Sequence, residues 1–196
     1  MKCFIFSNLI LKREFSKQLN IITMRRLFLT VLVIVLASMY CMAGGVKVKV
    51  GYASFLKENE SAIVEFDFSK TTWEEDENFK TWCGDQYEKR IAAMQQSFVT
   101  SFNENSKGLK IADSAEGAKY KIILEVKDLE RHQAFTGTWG QGKFSTTAYI
   151  KVFDIASQQI VCEIDVDGFG SGKDYDYADG LSKCYKGLAK QLFKLK

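Results

Sequence analysis

The chain has 196 residues, with 27 lysines and arginines against 24 acidic residues and a formal net charge of +3. That excess belongs to the first 43 residues, which hold six basic side chains (Lys2, Lys12, Arg13, Lys17, Arg25, Arg26) and one acid, Glu14, so the remaining 153 residues carry about −2. A domain of that size suits one hydrophobic core, and its mildly acidic balance excludes the clustered basic face that nucleic-acid phosphates demand.

The first element in chain order is an export signal. Arg25 and Arg26 precede an apolar run from Leu27 to Leu36, and Cys41 and Ala43 place small residues at −3 and −1 of a cleavage site before Gly44. This order predicts a signal peptide over residues 1–43 and a periplasmic or secreted protein. Met24, directly before the arginine pair, would give an ordinary start, and we read it as the true one. Lipidation at Cys41 is disfavoured, because Met39 and Tyr40 stand where that processing needs small residues. The alternative is an uncleaved anchor from Leu27 to Ala43, which would be the chain's one attachment to a membrane; its 17 residues sit at the short end of a span.

Residues 44–196 then read as a single α+β domain. Five runs alternate apolar and polar residues as half-buried strands do: Val46 to Val50, Ala62 to Phe68, Tyr120 to Val126, Thr146 to Val152 and Ile160 to Val166. Two segments have apolar residues at helical spacing: Tyr87, Ile91, Met94, Phe98 and Phe102, with Asp85 as N-cap, and Leu181, Cys184, Leu188 and Leu192, with Tyr185 beside them. The order β-β-α-β-β-β-α predicts a two-layer sandwich, a mainly antiparallel five-stranded sheet with two helices on one face. A doubly covered parallel sheet would read as continuous apolar runs instead. Ala156-Ser157-Gln158 fits a hairpin turn.

The element order, the run Phe66-Asp67-Phe68-Ser69-Lys70-Thr71-Thr72-Trp73, and the segments Val161-Cys162-Glu163-Ile164 and Cys184-Tyr185-Lys186-Gly187-Leu188 resemble a group of uncharacterised exported proteins of Gram-negative envelopes. The resemblance covers most of Val46 to Lys196. It implies an envelope location and the α+β fold, and it carries over no functional residue.

Motifs for chemistry fall short one by one. Gly137 to Lys143 satisfies the first half of a phosphate-binding loop, but Phe144 stands where a magnesium-ligating hydroxyl belongs and opens a strand pattern instead of a helix. Gly168 to Gly172 lies before a helix as a dinucleotide loop does, yet Lys173 replaces the third glycine and no further strand completes the unit; a flexible connection is the plainer reading. The single histidine, His132, has no nucleophile elbow to serve, and a Cys–His pair from Cys83, Cys162 or Cys184 competes with their simpler reading as core residues. Cysteine and histidine spacing offers no zinc site, Asp174, Asp176 and Asp179 lack the rest of a calcium loop, and no cofactor is called for.

What remains is a binding surface. The stretch from His132 to Gly142 carries Phe135 and Trp139, and the stretch from Trp73 to Trp82 is also aromatic. Large aromatics in loops serve as recognition anchors or fold back to cap a small core. His132, Phe135, Trp139 and Trp73 are thus the candidate ligand-binding residues. A noncatalytic domain that binds an envelope protein or a small envelope ligand leads, with a hydrolase or transferase of unrecognised site as the alternative. Cys162 and Cys184 both point into the layer between the sheet and the last helix. A bridge between them would close a loop of about 22 residues; reduced thiols are the competing outcome.

Overall fold

Each of the five alternating runs forms a strand. The computed structural model describes residues 45–133, 142–174 and 176–195. Its strands are β1 (Gly45–Gly51), β2 (Ser61–Asp67), β3 (Thr72–Trp73), β4 (Glu77–Asn78), β5 (Lys110–Ile111), β6 (Tyr120–Gln133), β7 (Gly142–Asp154) and β8 (Ile160–Asp174). The helices are α1 (Phe79–Cys83), α2 (Tyr87–Asn105) and α3 (Tyr177–Leu192). One sheet has the order β1-β8-β7-β6-β2-β5, with β3 pairing β6 and β4 pairing β3.

Register explains the core. Val64 lies opposite Ile122, which faces Val152, which faces Cys162; one row on, Phe66, Leu124, Ile150, Ile164 and Val48 align. These residues occupy one face of the sheet, and Ile122, Leu124, Ile150, Val152, Cys162 and Ile164 are buried there. Helix α2 presents Met94, Phe98 and Phe102, and α3 presents Leu181, Cys184, Tyr185, Leu188 and Leu192. Phe66 meets the Phe98 ring at 5.5 Å and the Tyr185 ring at 6.5 Å. The opposite face is a polar checkerboard. Lys121 pairs with Glu65 at 2.8 Å, Lys151 with Glu125 at 2.7 Å and Lys49 with Asp165 at 3.1 Å, and Tyr149 donates to Glu163 at 2.6 Å.

Three expectations are corrected. The sheet has eight strands and is mixed, not five-stranded and mainly antiparallel. β6 runs parallel to β2 from Ala62↔Tyr120 to Asp67↔Glu125, because the intervening α2 carries the chain back to the start of the sheet, as a crossover helix does. The three added strands have two residues each, too short for a periodic signal. Gly168 to Gly172 is not a connection but part of β8, where Gly170 pairs with Ser145 and Phe169 with Thr146. Asp85 is not an N-cap; it lies in a 3-10 turn, Gly84–Gln86, leading into α2. The caps are Asn78, accepting from the Lys80 and Thr81 amides of α1, and Asp176, accepting from the Ala178 and Asp179 amides of α3. Among the described residues no helix is long and apolar enough to cross a membrane.

Candidate functional site

The end of the sheet where β6 and β7 begin to extend past β2 collects most of the unusual chemistry, and a bulge creates it. Val126 pairs with Ala148 but Asp128 pairs with Thr147, so Lys127 is an extra residue in β6. A one-residue bulge shifts the side-chain phase. Leu129 and Arg131 therefore take the core side, and Asp128, Glu130 and His132 take the open side.

The β3–β4 hairpin docks on this bulge. Its tip places Glu74 and Glu75 in the left-handed region, with φ of 55° and 62°, a conformation that costs residues with a Cβ roughly 1–2 kcal/mol each. Hydrogen bonds to β6 hold it there: Glu74 N–H to the Leu129 carbonyl at 2.9 Å, Glu75 N–H to Asp128 Oδ1 at 3.0 Å, and the buried Thr71 hydroxyl to the Val126 carbonyl at 2.9 Å.

On the open face, His132 Nε2 lies 2.8 Å from Glu130 Oε2 and 2.8 Å from Ser145 Oγ, and Ser145 Oγ is 3.3 Å from the same Glu130 oxygen. Burial pushes the Glu130 carboxyl above its ordinary range and the nearby Asp128 carboxylate adds to this, against the pull of His132. The residue types are those of a serine relay, but the geometry is not. A relay uses one imidazole nitrogen for the serine and the other for the acid, whereas here Nε2 meets both. Ser145 is also 1% exposed, so its hydroxyl is closed to a substrate.

On the core side of the same end, aromatic rings stack. Trp73 is buried and lies 3.8 Å, nearly parallel, from Trp82 of α1. Tyr177, at the start of α3, is 5.8 Å from Trp73 and 5.3 Å from Trp82. Two guanidinium groups cover these rings. Arg90 of α2 sits 4.5 Å from the Trp82 centroid and donates to Cys83 Sγ at 3.4 Å. Arg131 sits 4.8 Å from the Tyr177 centroid and donates to its hydroxyl at 3.0 Å.

Of the residues singled out from sequence, His132 is half-exposed on the open face and Trp73 is buried on the other, so the sheet separates them. Phe135 and Trp139 lie outside the described residues, as do Gly137 to Gln141 of the phosphate-loop pattern. Phe144 is a fully buried residue within β7, which leaves no helix N-terminus where that pattern requires one. Cys83, Cys162 and Cys184 are buried thiols, and the Cys162–Cys184 bridge is not made. Cys184 Sγ donates to the Phe169 carbonyl at 3.4 Å. Phe169 stands seven residues along β8 from Cys162, on the order of 20 Å at the rise of a strand, far beyond disulfide reach. Sequence reasoning missed Arg90, Arg131, Glu130 and Ser145. The charges of Arg90 and Glu130 carried no periodic signal, and Ser145 and Arg131 acquire their neighbours through β6–β7 register.

A separate cavity of about 420 Å³ opens on the polar face at the other end of the sheet, lined by Ile63, Ile123, Phe153, Ile155 and Lys121 among others. Its nearest β6 residue, Ile123, is nine positions from His132. The cavity is mainly apolar and brings no nucleophile and base together.

No family model matches the chain, and no curated protein sequence matches it. Solved structures do. PelC from Paraburkholderia phytofirmans, described as a dodecamer, is 14% identical over 76% of this chain and 96% of its own, with a TM-score of 0.45. Protein XCC0632 from Xanthomonas campestris, of family DUF330, is 12% identical over 70% of this chain and 84% of its own, with a TM-score of 0.36. A neuraminyllactose-binding hemagglutinin homologue from Helicobacter pylori is 8% identical over 70% and 81%, with a TM-score of 0.36.

Proposed function

We propose that this chain is an exported cell-envelope protein, periplasmic or secreted, whose domain binds another envelope protein or a small envelope ligand without catalysis. The observation that carries the reading is the Trp82 platform. The ring is half-exposed, stacked on buried Trp73 at 3.8 Å and topped by Arg90 at 4.5 Å, and tryptophan and arginine set in a rigid surround are the residues that dominate binding energetics. The export signal over residues 1–43 supports the location, and the mildly acidic remainder of the chain supports a protein or small-ligand partner over nucleic acid.

A photo-crosslinking residue placed at Trp82 in the full-length exported protein tests the reading, with the same residue at Lys47 on the polar face as control. A discrete adduct in intact cells at position 82, absent at position 47, is the expected result. No adduct at either position, or equal adducts at both, overturns it.

The second reading, an envelope hydrolase or transferase, draws on the Glu130–His132–Ser145 contacts. Its test is hydrolysis of chromogenic esters by the purified protein, with Ser145→Ala as control. A serine-dependent rate would establish the enzyme reading in place of the first.

A further inference from the structure

Arg90 is the one guanidinium of the platform whose donors are mostly unused. Its polar contact is the Cys83 sulfur at 3.4 Å, its other contacts are the Trp82 and Tyr177 rings at 4.5 and 5.9 Å, and no carboxylate among the described residues lies within ion-pair distance of it. A guanidinium presents five N–H donors in a planar fork matched to a carboxylate. Here the fork is half-buried and held against an indole and a thiol, so part of its side-chain entropy is spent before a partner arrives. Lys80 of α1, the helix that carries Trp82, repeats the pattern. Its ammonium sits 5.4 Å from the Tyr87 ring and likewise has no carboxylate partner among the described residues.

By contrast, four lysines of the polar sheet face are matched. Lys49, Lys121, Lys127 and Lys151 each pair with a carboxylate at 2.7 to 3.4 Å. Those four lysines are compensated, whereas Arg90 and Lys80, each set against an aromatic ring, have no carboxylate partner among the described residues. The hairpin that leads into α1 carries exposed Glu74, Glu75, Asp76 and Glu77, which would repel an acid-rich stretch or a polyphosphate.

Resting on the binding reading above, we infer that the Trp82–Arg90 surface docks an isolated acidic side chain of a protein partner, a glutamate or aspartate flanked by apolar residues. Its carboxylate takes the outward N–H groups of Arg90 and its apolar neighbours lie on the Trp82 edge. The unmatched guanidinium of Arg90 selects the carboxylate, and the acidic hairpin selects against more than one.

The experiment uses the exported protein and two probes, acetyl-Leu-Glu-Leu-amide and its neutral isostere acetyl-Leu-Gln-Leu-amide. Binding is read from the tryptophan indole N–H resonances, with the Trp82 signal identified by its loss in Trp82→Phe. The glutamate peptide is expected to shift the Trp82 signal saturably, the glutamine peptide to bind at least tenfold more weakly, and Arg90→Gln to remove the difference while the circular dichroism melt stays in place. Arg90→Lys is expected to weaken binding several-fold, because an ammonium cannot make the bidentate pair. Equal binding of the two peptides, or unchanged discrimination in Arg90→Gln, overturns the inference. So does inorganic phosphate or benzoate binding as tightly as the glutamate peptide, since each would make the site one for small anions. A discrete crosslink at position 82 without peptide discrimination leaves the binding reading standing and removes the carboxylate; loss of both removes the reading itself.

Discussion

Thr72 and Asp128 face each other across the parallel β3–β6 register, and the Thr72 hydroxyl donates to Asp128 Oδ1 at 2.5 Å. The same oxygen accepts the Glu75 N–H, so one carboxylate fastens both ends of a hairpin tip that is left-handed at Glu74 and Glu75. Asp128 is 7% exposed. Bonds to a charged acceptor are worth about 1.5–3 kcal/mol each, and a donor left bare in a buried place costs a similar amount. Asp128→Ala is therefore expected to lower unfolding free energy by roughly 2–4 kcal/mol and to loosen the Trp73–Trp82 stack held next to the hairpin. Asp128→Asn keeps an acceptor and should lose about half as much. Urea titration followed by tryptophan fluorescence gives both values, and a loss below about 1 kcal/mol in the alanine variant would show that the tip holds itself.

The same residue marks how far the sequence could be read. Alternation from Tyr120 to Val126 assigned faces correctly, and the helical stripes of Met94, Phe98 and Phe102 and of Leu181, Cys184 and Leu188 lie buried as their spacing requires. Continued past Val126, that alternation would put Asp128, Glu130 and His132 in the core. The extra residue Lys127 reverses the phase, and nothing in its side chain announces a bulge. β7 has no bulge of its own against β6, so its run from Phe144 to Val152 keeps one phase throughout. Trp73 was legible as an aromatic of interest, but its stacking partner Trp82 and the cover of Arg90 depend on how α1 and α2 pack, which is a tertiary fact.

Glu130 should make stability depend on pH in the direction opposite to an ordinary ion-paired acid. Burial, with Asp128 adding to it, raises its folded-state pKa above the unfolded value, against the pull of His132, so the native state binds the proton more tightly than the unfolded chain. Stability from this group is then fully present below the unfolded glutamate pKa of about 4.3 and is lost as pH rises through the raised folded value. Glu58, Asp67 and Glu125, held below their usual range by hydrogen bonds and lysines, contribute with the opposite sign. Glu130→Gln removes the first contribution alone. The variant is expected to gain on the wild type in urea midpoint as pH is raised from 4 toward 7, and parallel profiles would falsify the assignment.

Gly180 should not tolerate a methyl group, although it lies in the first turn of α3. Alanine normally gains about 1 kcal/mol over glycine within a helix. A Cβ at Gly180 would come 2.1 Å from Cε2 and 2.2 Å from Cδ2 of Phe144, a ring that is completely buried and packed 5.7 Å from Tyr177. The ring has nowhere to turn, and overpacking of this kind costs about 1–3 kcal/mol. Gly180→Ala is expected to be destabilising by that amount. Phe144→Leu in the same chain should recover part of the loss, giving a coupling energy of about 1 kcal/mol or more in a double-mutant cycle. Simple additivity of the two substitutions would mean that the helix shifts away from the ring instead.

Thiol chemistry separates Cys83, Cys162 and Cys184, three of the chain's five cysteines, by burial. Cys162 is fully buried beneath the sheet's apolar face, and burial, with Glu163 adding to it, pushes its thiol up to about 11. At pH 8 only about one molecule in a thousand would carry the thiolate that reacts with disulfide reagents. Burial also raises Cys83, but the Arg90 guanidinium opposes the shift, and Cys83 lies at the C-terminal end of the five-residue α1, an element held by few backbone bonds. Among these three, modification of the native protein by an aromatic disulfide at pH 8 should therefore proceed first at Cys83, with Cys162 reacting only on global unfolding, and Cys83, Cys162 and Cys184 should each be modified in urea without reductant. Arg90→Gln should slow Cys83 further, since it removes the one group that stabilises the thiolate. Peptide mapping of oxidised, exported material decides the pairing: a Cys162–Cys184 peptide would require β8 and α3 to be placed differently from the arrangement in which Cys184 meets Phe169.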